Sequence, residues 1–361
     1  MSGEPRLRLS SRIEALGGYF SPQIDVDVRL NTNEAPEPPP PGFLEAVRVE
    51  IDKVALNRYP DRQATALREA IADLHGVRSE EVYAANGSNE VLQSLLLAFG
   101  GPGRSSLVFE PTYALHSHIS HITGTTVLAG EREGDYLVNV SEIARMIDVA
   151  ARAEEDLAVL FLCSPNNPTG RIESAESIAA ALGAAPGLVV VDEAYGQFAP
   201  RSSLELRADN PHLVVVRTFS KTWSLAALRL GYAIADPDVV DAMFAVTLPY
   251  HLDALKQAAG RVALQFAPEM EDRTRRLVAE RERLLVQLRA MPLEVCPSDA
   301  NFVLFRPVAR DAKDVWEALV ARSVLVRDVS SYERLAGFLR VTVGTAAEDD
   351  EFLEALGSAL A

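Results

Sequence analysis

Lys221 and Asp192 are charged residues in stretches of sequence that are mostly apolar or weakly polar. Lys221 lies within "VVVRTFSKTWSLAALRLGYAIA", residues 214–235, and Asp192 directly follows the apolar run "LVVV". An ammonium or a carboxylate in such surroundings costs desolvation energy unless it has a partner or a chemical task. Burial and nearby cations lower the pKa of a lysine, and the neutral amine then forms a Schiff base with a carbonyl compound.

The neighbours of these two residues indicate pyridoxal phosphate chemistry. An isolated lysine after a strand is usually a surface residue. Asp192 changes this interpretation, because an aspartate is the usual partner of the ring nitrogen of pyridoxal phosphate. Ser220 and Arg229 flank Lys221 and offer charge-assisted hydrogen bonds to a phosphate. The sequence "NGSNE", residues 86–90, opens a predicted helix, and a helix N-terminus attracts anions.

Short apolar runs of strand length provide the elements that would position these groups. The runs "SLVFE", "TTVLAG", "LAVLFLC", "GLVVVDEAY" and "LVVVRTFS" are mostly separated by helical patterns. Continuous apolar strands of this kind are typical of a parallel sheet that is buried on both faces. Ligands bind at the C-terminal ends of such strands. Three of these ends would deliver the polar residues Asn167, Asp192, Tyr195, Ser220 and Lys221.

The pattern predicts an α/β protein with two domains and an N-terminal arm. Residues 1–45 contain the proline run "NEAPEPPPPGF" and form the arm, which we expect to pack with the small domain and a partner subunit. Residues 46–255 form a large three-layer domain with a mostly parallel sheet and helices on both faces. Residues 256–361 begin with a long charged helix, predicted to have a solvated face, and form a smaller α+β domain.

Three motifs in fixed order give the chain a specific resemblance. The stretches "SPNNPTG", "VDEAYGQF" and "RTFSKTWSLAALRLGY" resemble the fold-type I aminotransferases of class I/II, which use pyridoxal 5'-phosphate. The stretches "VRLNTNEAP", "NRYPD", "FEPTYALH" and "VLVRD…LRVTVG" are similar to the histidinol-phosphate aminotransferase family within that class. The resemblance covers nearly the whole chain.

The resemblance implies roles for residues around the cofactor. Lys221 would form the Schiff base, Asp192 would pair with the ring nitrogen, and Tyr113 would stack on the ring. Tyr195 and Asn167 would bond to the cofactor's 3-oxygen. The cofactor phosphate would be held by Ser88, Asn89, Ser220, Arg229 and, from the partner of a homodimer, Tyr59.

The resemblance also implies the substrates. Arg327 and Arg340 would face the phosphate of histidinol phosphate, helped by Tyr19 and Asn33 of the arm. The same arginines would accept glutamate and 2-oxoglutarate, so the reaction would be a transamination in histidine biosynthesis.

Several alternatives remain open at the level of sequence. The chain departs from the family at Ala35, Asn89, Ala227 and the triplet 222–224. Aromatic amino acid aminotransferases and threonine-phosphate decarboxylases share the scaffold. A non-catalytic sensor domain is disfavoured, because it would need an attached basic DNA-binding module.

Composition narrows the class further. The net charge is −16, from 35 basic and 51 acidic residues, which disfavours nucleic acid and anionic membranes as partners. Cys163 and Cys296 are predicted to be buried free thiols. No signal peptide or membrane span is evident, so we expect a soluble cytoplasmic protein. The three histidines of "LHSHISHITG" are not spaced as metal ligands, and no metal is expected.

Overall fold

A computed structural model describes residues 23–361. The described residues form twelve strands and eleven α-helices, joined by short 3-10 turns. Within these residues no helix combines the length and the apolar character needed to cross a bilayer.

The strands are β1 Val28–Leu30, β2 Val82–Ala85, β3 Ser105–Glu110, β4 Thr126–Glu131, β5 Leu157–Cys163, β6 Leu188–Asp192, β7 Leu213–Thr218, β8 Gly231–Ile234, β9 Leu293–Val295, β10 Phe302–Pro307, β11 Val324–Asp328 and β12 Leu339–Thr342. The helices are α1 Phe43–Ile51, α2 Thr65–His75, α3 Ser88–Phe99, α4 Leu115–Thr123, α5 Val140–Arg152, α6 Ala175–Ala184, α7 Pro237–Val246, α8 Ala254–Leu264, α9 Ala267–Arg289, α10 Ala312–Val320 and α11 Ala346–Leu360.

Seven strands form the larger sheet, in the order β2-β8-β7-β6-β5-β3-β4. Every neighbouring pair is parallel except those that involve β8. Alternate residues of the central strands enter different cores: Val190 and Val214 pack on one face, and Val189 and Val215 pack on the other. The predicted three-layer α/β architecture is therefore confirmed, and the five predicted strands are all present.

Five strands form the smaller sheet, in the order β1-β11-β12-β10-β9. Strand β1 belongs to the N-terminal arm and pairs in parallel with β11, while the other pairs are antiparallel. The arm therefore contributes an edge strand to a sheet that is otherwise built from the last quarter of the chain.

Helix α9 connects the two sheets. Near its start Met270 packs in the same core as Phe43 and Leu67, beside the larger sheet. Further along, Leu284 and Leu288 pack with the aromatic residues of the smaller sheet. One face of this helix is solvated, while the other is buried in both cores.

The predicted domain boundary after residue 255 falls inside α8, which begins at Ala254. Helix α8 packs against α1 and α2 of the larger unit. We therefore propose that the transition to the small domain lies within α9.

Candidate active site

A cavity of about 200 Å³ lies where the C-terminal ends of β5, β6 and β7 meet the smaller sheet and the arm. The parallel strands deliver Asn167, Asp192 and Ser220 to this edge, as predicted from the sequence. Twelve of the predicted site residues line the cavity: Asn33, Ser88, Asn89, Tyr113, Asn167, Asp192, Tyr195, Ser220, Lys221, Arg229, Arg327 and Arg340.

Asp192 is the last residue of β6 and is only 1% exposed. Its Oδ1 accepts a hydrogen bond from the backbone N–H of Ala194 at 3.0 Å, and its Oδ2 lies 3.0 Å from Nε2 of His116. Because a carboxylate only accepts, the hydrogen of this second bond comes from His116 Nε2. His116 itself is fully buried and stacks on Phe161. These contacts hold the carboxylate in one orientation at the cavity wall.

Lys221 lies in the loop that follows β7. Burial is the main cause that lowers the pKa of its amine to about 7, and the positive charges of Arg340 and Arg229 act in the same direction. Lys221 Nζ donates a hydrogen bond to the backbone carbonyl of Thr32 at 3.0 Å and lies 5.6 Å from the ring centre of Tyr195. The amine is therefore in part neutral near pH 7, which is the form that acts as a nucleophile or a base.

The N-terminus of α3 and the Lys221 loop form an anion cradle. Gly87 precedes the helix at φ +83°, and a Cβ at this position would lie 2.8 Å from the guanidinium of Arg229. A Cβ at Gly231 would lie 2.3 Å from the backbone nitrogen of Ser88. Arg229 donates to Ser220 Oγ at 3.3 Å. Backbone N–H groups at a helix start, a hydroxyl and a guanidinium thus converge on one point, which suits a phosphate.

Arg327 and Arg340 lie directly opposite each other on the antiparallel strands β11 and β12. Arg340 is buried, donates to the carbonyl of Asn31 at 2.9 Å and donates to Oδ1 of Asn167. Like charges that face each other across two strands are destabilising. An anion that binds both guanidinium groups would relieve this repulsion.

The arm residue Asn33 connects the smaller sheet to the cavity wall. Its side chain donates to the hydroxyl of Tyr195 at 2.9 Å, and its backbone N–H donates to Thr342 Oγ1 at 2.9 Å. Burial raises the pKa of Tyr195, so its hydroxyl keeps its proton. On the opposite side Tyr113 donates to Asn89 Oδ1 at 3.1 Å. The aromatic walls of the cavity are thus fixed by hydrogen bonds.

Comparison with known proteins identifies this architecture. The model of the family "Aminotransferase class I and II" matches residues 25–356. Histidinol-phosphate aminotransferase from Frankia casuarinae is 45% identical, over 98% of this chain and 90% of the relative. The protein of the same name from Thermobifida fusca is 46% identical, over 97% of this chain and 95% of the relative. The chain belongs to the class I and II aminotransferases, among the histidinol-phosphate aminotransferases.

A solved structure agrees with this aminotransferase in fold. Histidinol-phosphate aminotransferase from Sinorhizobium meliloti, in complex with pyridoxal-5'-phosphate, superposes with a TM-score of 0.87. The alignment covers 98% of this chain and 97% of the other, at 23% identity.

The residues of this aminotransferase fit a pyridoxal phosphate group. Lys221 supplies an amine of lowered pKa, and Asp192 supplies a buried anion on the same side of the cavity. The glycine-lined cradle beside Arg229 would supply the phosphate contacts, since a side chain at Gly87 would displace the guanidinium from its place. Tyr113 offers a ring to the same space.

One predicted residue does not line the cavity. Tyr59 is 80% exposed and stacks on Tyr250 at 4.4 Å between ring centres, away from the cavity lining. Tyr19 lies outside the described residues. The predicted buried free thiols are confirmed: Cys163 and Cys296 are both buried and unpaired, and Cys163 lies at the cavity wall.

Sequence reasoning assigned no function to His116 and did not single out Thr32. Both residues contact the reactive groups, His116 through Asp192 and Thr32 through its carbonyl to Lys221. The helical spacing of His116 with Ile119 and Thr123 on one buried face was the available signal. A backbone carbonyl leaves no such signal in the sequence.

Proposed function

We propose that this chain is a pyridoxal-phosphate-dependent aminotransferase that transfers the amino group between histidinol phosphate and 2-oxoglutarate in histidine biosynthesis. The opposed pair Arg327 and Arg340 is the observation that carries the substrate assignment. Two guanidinium groups that line the same cavity favour a phosphorylated or dicarboxylic substrate over an uncharged one. Sequence identity of about 45% to relatives of that name supports the same activity.

The cofactor would be held at both ends. Its phosphate would be bound by Ser88, Asn89, Ser220 and Arg229. Its ring nitrogen would be bound by Asp192, and its ring would stack on Tyr113. Its 3-oxygen would bond to Asn167 and Tyr195. When bound, the cofactor withdraws electrons from the substrate's α-carbon and carries the amino group between the two substrates.

Lys221 would move the proton. An amine whose pKa lies near 7 has the free electron pair needed to take a proton from the substrate's α-carbon, and it can return that proton to a neighbouring carbon. The carbonyl of Thr32 accepts a hydrogen bond from this amine and so keeps it within the cavity.

Asp192 would stabilise a positive charge on the cofactor's ring nitrogen. A buried carboxylate raises the pKa of a basic nitrogen in contact with it, because the paired charge is worth more at low dielectric. His116 and the N–H of Ala194 fix the direction in which this anion points.

Arg327 and Arg340 would hold the anionic end of either substrate. A guanidinium group binds phosphate and carboxylate with the same bidentate geometry. The same pair therefore serves both halves of the reaction, with Asn33 at the boundary between the arginines and the cofactor.

A homodimer is part of the proposal, and we place the enzyme in the cytoplasm with the other steps of amino-acid biosynthesis. The exposed apolar residues Leu56, Tyr59, Leu248 and Tyr250 support an interface, because Tyr59 and Tyr250 stack on each other at the surface and contiguous exposed apolar groups often mark an interaction site. Tyr59 would reach the partner's phosphate cradle across it. Light scattering of the wild type and of Leu248→Glu tests the dimer, which the added charge should weaken.

The function is tested in a single turnover. Purified, cofactor-loaded enzyme is mixed with histidinol phosphate or, separately, with phenylalanine, and the visible absorbance of the cofactor is followed. Rapid loss of that absorbance with histidinol phosphate, and slow loss with phenylalanine, is the expected result. Faster conversion of phenylalanine would make the protein an aromatic amino acid aminotransferase. Release of carbon dioxide from threonine phosphate without amino transfer would make it a decarboxylase.

A further inference from the structure

A second cavity, of about 410 Å³, adjoins the loop that carries Lys221. We call it the rear cavity, and it lies between the end of α2 at His75, the residues Thr222 and Trp223, and the first two turns of α9. It shares no lining residue with the candidate active site. Consecutive residues of one loop therefore border two different cavities, with Lys221 on one side and its two successors on the other.

Three buried polar atoms in the wall of the rear cavity have no hydrogen-bond partner among the described residues. They are Gln197 Oε1, Thr222 Oγ1 and Trp223 Nε1. Thr222 and Trp223 are 2% and 4% exposed. A buried polar group that lacks a partner costs ~1–3 kcal/mol, so native structures seldom keep several together without a use. Three such atoms on residues that line one cavity are the first sign of a ligand site.

The types of these atoms specify what a ligand must offer. The Trp223 indole only donates, the Gln197 oxygen only accepts, and the Thr222 hydroxyl does either. A matching ligand therefore carries both an acceptor and a donor. Solvent does not reach the three atoms, so an occupant must shift part of the wall to bond them.

The charges around the rear cavity are balanced. The guanidinium of Arg217 is neutralised by Glu193 at 2.7 Å, and burial lowers the pKa of His75 to about 3, which leaves its imidazole uncharged. Glu271 and Arg275 stand at the exposed rim with opposite signs. A lining of this kind disfavours a ligand with a large net charge and suits one with both signs.

The remaining wall is apolar. Leu74, Ala267 and Met270 form one side of the rear cavity. Its volume lies in the ~300–1,000 Å³ range of small-molecule sites. Space therefore remains beside the polar cluster for a short aliphatic side chain.

We propose that the rear cavity binds a free α-amino acid with a small aliphatic side chain. The carboxylate accepts from Trp223 Nε1 and Thr222 Oγ1, the ammonium donates to Gln197 Oε1, and the side chain packs on Leu74 and Met270. This site goes beyond the proposed transamination, since it lies outside the cavity in which that reaction occurs.

A ligand in the rear cavity would change the position of Lys221. The ring of Trp223 packs on Phe219 at 5.3 Å, and the backbone N–H of Ser224 donates to the carbonyl of Lys221 at 3.3 Å. The turn is closed by a bond from the N–H of Leu225 to the carbonyl of Phe219. A shift of Trp223 therefore moves the same short turn that holds the amine.

Trp223 is itself the reporter. The chain has two tryptophans, so Trp316→Phe leaves Trp223 as the single one. The holoenzyme of this variant is titrated with L-leucine and, separately, with isoamylamine, which has the same side chain but no carboxylate. We expect a saturable change in indole emission with leucine and none with the amine.

Two variants in the same background locate the binding. Thr222→Val removes one bonding atom at nearly constant shape and should weaken leucine binding about tenfold, whereas Thr126→Val on an exposed edge should not change it. Ala267→Met fills the rear cavity and should abolish the response. A response that survives Ala267→Met would place leucine elsewhere, and the absence of any response would leave water as the occupant; either result overturns the proposal.

Discussion

The two halves of the active-site cavity are built in different ways. The half that would hold the cofactor is formed by strand ends of the larger sheet, where Asp192 and Lys221 follow apolar runs within 30 residues of each other. The half that would hold the substrate combines β11 and β12 with the arm, so Arg340 bonds to Asn31, which is 309 residues away. In this proposal the chemistry would rest mainly on buried strand ends of the larger sheet, and selectivity would rest on contacts between segments that lie far apart in the sequence.

The largest expected effect is on the chemical half. Lys221→Ala removes the amine that, in this proposal, would form the Schiff base and move the proton, and we expect a loss of kcat on the order of 10⁴-fold or more for every substrate. The assay is steady-state turnover of histidinol phosphate, with the cofactor's absorbance as a check that it is still bound. A variant that kept a tenth of wild-type turnover would show that another group is the base.

The arginine pair should separate selectivity from chemistry. Arg327→Gln should lower kcat/KM for histidinol phosphate by ~10²-fold, because a charge-assisted bond to phosphate is lost, while phenylalanine should be affected less than tenfold. Arg340→Gln should cost more with both substrates, since Arg340 also bonds to Asn167 beside the cofactor. Equal losses on both substrates in Arg327→Gln would contradict the assignment of the phosphate to this residue.

His116 tests the role of residues behind the cofactor half of the cavity, because it contacts Asp192 but touches neither the amine nor the substrate. His116→Phe should preserve the stack on Phe161 and remove the bond to Asp192, and kcat should fall about tenfold while KM changes little. The cofactor's absorbance should titrate at lower pH in this variant, since its ring nitrogen would face a less firmly held anion. The control is His121→Phe, on the exposed face of the same helix, which should behave as wild type.

The smallest effect on activity is expected at Asp349, which contacts the turn that follows the strand of Arg340. Its Oδ1 accepts from the backbone N–H of Gly344, in the turn after β12, and burial together with neighbouring Glu280 raises its pKa from 3.8 to about 8. Between pH 4 and 8 the folded state binds more protons at this group than the unfolded state. The free energy of unfolding should therefore fall as the pH rises through this range.

Asp349→Asn should flatten that pH dependence. The amide oxygen can keep the bond to Gly344, and an amide does not ionise, so stability at pH 8 should rise by an amount on the order of a few kcal/mol relative to wild type. Urea unfolding at pH 5 and at pH 8 measures it. Asp350→Asn, an exposed neighbour paired with Arg283, provides the control. An unchanged slope in Asp349→Asn would mean that the group ionises normally.

What the sequence predicted follows the same division. The five parallel strands and the residues at their ends were predicted correctly, because a strand buried on both faces is continuously apolar and a polar residue after it is conspicuous. Strands β2 and β8 were not predicted, since each has four residues and β8 lies inside the stretch noted for Lys221. The spatial pairing of Arg327 with Arg340 depends on strand register, which no local pattern sets. The rear cavity is formed by four segments that lie far apart in the sequence, and it has no sequence signature.

The parallel pairing of β1 with β11 has a consequence for how the chain folds during its synthesis. The arm leaves the ribosome before the strands that it pairs with, and Asn33 finds Thr342 only after another 309 residues have been made, roughly 15–60 s later at ordinary rates of synthesis. During that interval the larger sheet can fold around Lys221 while the carbonyl of Thr32 is still absent from its side. A nascent chain would therefore be able to acquire its chemical half well before its selective half.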